Sequence, residues 1–103
     1  MSTVDASRGA KPDADLLLCL AETAPGPDRV RLERQVVRLH KMMARDIARC
    51  YVPLGVEQGR ATRLALAALL RAVRTYDHSI RLDFERYATS LIQLELSRSL
   101  QSR

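Results

Sequence analysis

Between Arg60 and Leu100, apolar residues recur every three or four positions in two runs, with a polar break between them. The first run carries Leu64, Ala65, Ala68, Leu69, Ala72, Val73 and Tyr76, a spacing that gathers side chains on one helical face. Tyr76-Asp77 closes that run and His78-Ser79 interrupts the pattern. Asp83 is placed to cap a following helix by accepting a bond from a free backbone N–H. The second run offers Phe84, Tyr87, Ala88, Leu91 and Ile92, extended by Leu96 and Leu100.

Upstream, Leu32, Val36, Leu39, Met43, Ile47 and Tyr51 form one apolar line, widened by His40, Ala44, Ala48 and Cys50. Pro53 and Gly55 end it. Before it, Ala24-Pro-Gly-Pro-Asp28 is a helix breaker, and Asp28 is placed to cap the long helix. The segment DLLLCLAET is too short to persist alone and needs a surface to pack on. Residues 1–12 lack apolar periodicity and read as a disordered tail. The pattern predicts an all-α fold, a compact bundle of about four helices near 14–23, 29–52, 58–76 and 83–100, in a single domain over 13–103. Expected buried positions are Val36, Met43, Ile47, Leu66, Leu69, Val73, Phe84, Ala88, Leu91 and Ile92.

Composition adds a charge asymmetry. Residues 1–28 hold two basic and five acidic side chains, whereas residues 29–103 hold fifteen basic and seven acidic ones. Fifteen of the seventeen basic residues are Arg, whose planar fork suits phosphate and carboxylate. Two readings stay open: a compositional bias toward Arg, or an anionic partner. Cys19 and Cys50 sit in apolar helical patterns and are expected to be buried, reduced thiols. No leader-like or membrane-spanning run is present, so a cytoplasmic protein without membrane contact is expected.

The run Leu69-Leu70-Arg71-Ala72-Val73, then Tyr76-Asp77, Phe84 and Tyr87-Ala88, resembles region 2 of bacterial sigma factors. There a leucine-rich helix ending in L-x-x-A-V-x-x-F/Y-D precedes a short loop and F-x-x-Y-A. The likeness is ungapped from Tyr51 to about Leu100, and Thr89, Ile92, Glu95 and Leu96 resemble the general-stress and sporulation branch. Asp15–Glu22, Pro25–Asp28 and Ile47–Tyr51 match the way that branch enters region 2. The resemblance implies a sigma-like regulator of transcription initiation, with RNA polymerase core or an anti-sigma protein as partner. Separately, the spread of Arg with few stacking aromatics predicts weak, salt-sensitive contact with nucleic acid.

Carried over residue by residue, the resemblance makes Arg60, Arg63 and Leu64 the face equivalent to the one that docks on the polymerase clamp helices. The family carries D-L-x-Q there, so Arg60 stands at the Asp position and Arg63 at the Gln position. Both can equally be a solvated face. Two Arg at a helix start also oppose the helix dipole. The DNA-facing candidates on the last helix are Gln93, Arg98 and Arg103. The family loop D-P-x-x-G is replaced by Asp77-His78-Ser79-Ile80-Arg81, and without Gly at Arg81 a different turn is expected.

Other chemistry is sparse. Tyr76, Phe84 and Tyr87 have base-stacking potential, but their helical spacing favours core packing. Asp77 reads as a turn residue at a helix end. His40 reads as a half-buried helix residue, and neither His40 nor His78 has partners at metal-ligand spacing. No nucleophile with an adjacent base, no Gly-rich phosphate loop and no paired acids are visible. No enzyme activity, cofactor or metal is therefore expected.

Overall fold

The fold is built on alanine. In the computed structural model, which describes residues 17, 18, 21, 24, 26–77 and 79–101, three helices follow in order. Helix α1 spans Gly26–Tyr51, α2 spans Gln58–Thr75 and α3 spans Phe84–Gln101. No strand occurs among the described residues. Helix α2 packs against both others, and α1 also touches α3. Its buried residues are Ala61, Ala65, Ala68, Leu69, Ala72 and Val73. Four alanines among six let neighbouring helices approach closely, because interaxial distance follows side-chain size.

That small-residue face decides which side of α1 turns inward. The buried α1 residues are Val36, Ala44 and Ala48. The stripe thus runs through Val36, which the expected line contains, and through His40, Ala44 and Ala48, which the sequence places beside that line. Leu39 is exposed, and Met43 and Ile47 are only half-buried. Leu66 and Leu91, also expected in the core, are half-buried at its margin. Cys50 is exposed, correcting the expectation of a buried thiol. The largest fully buried side chains are Phe84, Leu69, Ile92, Leu96 and Val36.

Of the helix expected near 14–23, Leu17, Leu18 and Ala21 are described; all three are helical and buried. The remainder of that helix, the tail over 1–12, and Cys19, His78 and Arg103 lie outside the described residues.

Helix α1 begins at Gly26, earlier than the Asp28 cap predicts. Pro27 fits in the first turn because N–H groups there have no intrahelical acceptor. Asp28 lies inside that turn, near the positive end of the dipole, and pairs with Arg31. After Tyr51 the chain turns through Val52–Gly55. Leu54 N–H donates to Tyr51 O at 3.1 Å and Gly55 N–H to Val52 O at 3.0 Å. Gly55 has φ 119°, a conformation L side chains rarely adopt. The turn delivers Val56 into the core, with its N–H bonded to Tyr51 O at 3.2 Å.

The second connection uses side chains. Asp77 accepts from Ser79 N at 2.8 Å and from the Ser79 hydroxyl, closing a turn as its type suggests. Tyr76 OH donates to Leu82 O at 2.9 Å. Among the described residues of this turn, Arg81 included, none has positive φ. Asp83 caps α3 as expected, accepting from Arg86 N at 2.9 Å.

Candidate functional site

The start of α2 is held by a cap that the sequence did not advertise. Glu57, in extended conformation, folds its carboxylate back onto the helix. Oε2 accepts from Gly59 N at 2.8 Å and Oε1 from Arg60 N at 2.9 Å. A Cβ on Gly59 would stand 3.2 and 3.3 Å from those oxygens, so glycine there leaves room for the cap. The two backbone N–H bonds, from Gly59 first and Arg60 next, hold the Glu57 carboxyl below its ordinary range, and the nearby Arg63 charge acts in the same direction. The two-Arg start of α2 therefore sits beside a carboxylate that offsets the dipole conflict.

Arg60 and Arg63 behave differently. The Arg60 Nε donates to Ser99 Oγ at 3.0 Å, tying the start of α2 to the end of α3. Ser99 is the polar side chain in the buried set, and its hydroxyl gives Arg60 a fixed anchor. Arg63 is exposed and lies near the Glu57 cap. Leu64 is half-buried and packs against the core. Tyr51 OH and Ser97 Oγ stand 3.5 Å apart, a polar contact that joins the end of α1 to α3.

Of the DNA-facing candidates, Gln93 and Arg98 are both exposed on α3, and Arg103 is not described. Arg98 is drawn toward its own helix by Glu95 at 3.4 Å. Glu95 also receives Arg71 from α2 at 2.6 Å, so one carboxylate joins two helices and two arginines. The aromatic residues turn to the core. Phe84 is fully buried, and its ring meets Tyr76 edge-on at 5.5 Å and His40 at 5.0 Å. Tyr87 OH lies 2.7 Å from Thr75 Oγ1. His40 is half-buried with Nδ1 2.9 Å from Val36 O. Among the described residues, no group of three or more His, Cys, Asp or Glu is arranged to hold a metal ion.

A second charged region lies at the other end of α2, where a groove of about 590 Å³ separates it from α1. Arg34, Arg38 and Lys41 line it from α1, and Leu70 and Arg74 from α2. Sequence reading passed over these residues because each, taken on its own helix, looks like a solvated face. No described helix is long and apolar enough to cross a membrane. No family model matches this chain, and neither a curated protein nor a solved structure matches it.

Proposed function

We propose that the chain is a non-catalytic, sigma-factor-like regulator of bacterial transcription initiation, acting as a shortened sigma-like subunit on RNA polymerase core or promoter DNA. The observation that carries this reading is the ungapped run from Tyr51 to Leu100. Within it Leu69, Ala72, Val73, Phe84 and Ala88 bear the family resemblance, and each is also buried in the helical core. Buried positions carry that part of the likeness, whereas Leu70, Arg71 and Asp77 of the same run are exposed. The Arg-rich body supports an electrostatic contribution from nucleic acid, whose affinity falls steeply as salt rises.

A second reading is a sigma mimic that has lost polymerase docking and occupies an anti-sigma protein instead. Two observations favour it. Arg60 and Arg63 stand where the family has an acid and an amide, and Arg60 is already engaged with Ser99. Two cations brought against a surface adapted to an acid oppose docking by repulsion.

Surface binding of the wild-type chain and of Arg60→Asp/Arg63→Gln to polymerase core separates these readings. Wild-type binding that the double variant weakens makes the arginines docking residues and supports the shortened subunit. No wild-type binding, with recovery in the variant, supports the mimic. Failure of both proteins to bind core, with no anti-sigma protein recovered from the native host, overturns the sigma-like reading.

A further inference from the structure

The groove between α1 and α2 has a composition that no contact within the described protein explains. On α1, Val30, Arg34, Val37, Arg38 and Lys41 follow at three- and four-residue spacing along one helical face. On α2, Leu70 and Arg74 are one turn apart. The other charged lining residues are satisfied, Arg31 by Asp28 and Glu33 by Arg29 at 3.5 Å. Arg34, Arg38, Lys41 and Arg74 form no ion pair among the described residues. Four unneutralised cations therefore border an apolar floor on which Val30 is 46% and Leu70 38% exposed.

Each half of this chemistry narrows the occupant. A nucleic-acid backbone would neutralise the cations but leave Val30 and Leu70 in water, and no aromatic side chain among the described residues lines the groove to stack a base. A wholly apolar partner would cover the floor but strip water from the cations without replacing it. A helix with an apolar stripe flanked by Asp and Glu meets both demands, burying the floor and pairing the rim. Val30 to Lys41 spans about 16 Å of helix, roughly three turns.

We infer that this groove docks an acidic amphipathic helix of about three turns, supplied by a partner protein. The inference is independent of the sigma-like reading, because it rests on the α1–α2 groove and uses neither the Arg60 face nor α3.

The probe is a fluorescein-labelled synthetic peptide about four turns long, with leucines at helical spacing flanked by glutamates, titrated with the full chain by anisotropy. A scrambled peptide of identical composition and charge-matched single- and double-stranded oligonucleotides are the comparisons. The patterned peptide should bind at least about tenfold more tightly than the scrambled one. Arg34→Glu with Arg38→Glu, and separately Leu70→Asp, should each weaken binding about tenfold, while Arg45→Glu outside the groove should change it less than about threefold. Circular dichroism establishes that each variant remains helical, as exposed positions permit. Equal binding of patterned and scrambled peptides, or equal losses from Arg45→Glu, would overturn the assignment. So would oligonucleotides that bind more tightly than the peptide through the same residues. Self-association of the chain that Leu70→Asp abolishes would give the groove to a second copy instead.

Discussion

The two ends of α2 carry similar arginines in opposite circumstances. At the amino end, Arg60 bonds to Ser99 on α3, and Arg63 lies near a capping carboxylate. At the carboxyl end, Arg74 faces Arg34, Arg38 and Lys41 across a groove, and none of the four meets an anion among the described residues. The same residue type closes the bundle at one end and leaves charge unspent at the other. What an arginine does here is decided by what the fold places opposite it, not by its frequency in the sequence.

The sharpest way to break this contrast uses two adjacent leucines. Leu69 is fully buried between the ends, whereas Leu70 forms part of the groove and is 38% exposed. Leu69→Ala should destabilise the protein by about 2–5 kcal/mol, by lost transfer energy and the cavity left behind. Leu70→Ala should stay within about 0.5 kcal/mol, as expected of an exposed site. Urea unfolding followed by circular dichroism measures both. Similar losses would mean that the groove is part of the core and not an open surface.

A smaller effect tests the arginines themselves. Arg60→Ala should cost about 0.5–1.5 kcal/mol, the net worth of one hydrogen bond, and most of that loss should vanish in a Ser99→Ala background. Arg38 has like charges at Arg34 and Lys41, four and three residues away. Arg38→Gln should therefore stabilise by about 0.2–0.5 kcal/mol for each repulsion relieved, and added salt should shrink the gain. If Arg60→Ala is neutral and Arg38→Gln costs stability, the two ends have been assigned the wrong way round.

How much of this the sequence discloses depends on range. The α2–α3 hairpin is legible because Leu69, Val73, Phe84, Ala88 and Ile92 repeat at helical spacing and all turn inward. The Asp83 cap is legible because Asp is a common capping residue. The inward face of α1 is legible only in part: Val36, His40, Ala44 and Ala48 fall within the apolar pattern, but the pattern does not show that the alanines are buried more deeply than Leu39, Met43 and Ile47. The Arg60–Ser99 bond joins residues 39 apart, and a serine near a helix end gives no sign of burial. The groove is hidden for a similar reason, since its cations are brought together only when α1 and α2 pack. Glu57 escapes notice because glutamate is not among the favoured capping types.

That cap gives the smallest predicted effect, and its sign can be worked out. Glu57 is exposed, and its carboxylate accepts from Gly59 and Arg60 N–H groups, with Arg63 nearby. These contacts favour the ionised form, so the folded-state pKa lies below the unfolded one. The unfolded chain then binds more protons in the interval between the two values, and stability falls as pH drops through it. The contribution is fully present above the ordinary glutamate pKa and lost once pH falls below the depressed folded value. Glu57→Gln removes the titrating charge, and should lower the melting temperature slightly at neutral pH. The difference from wild type should shrink on acidification through that window, because protonated Glu57 and glutamine are both neutral. Thermal melts of the two proteins from neutral to strongly acidic pH test this. A difference that stays constant across the acidic range would mean that the ionised carboxylate does not hold the amino end of α2. The contrast between the two ends would then rest on Arg60 and Ser99 alone.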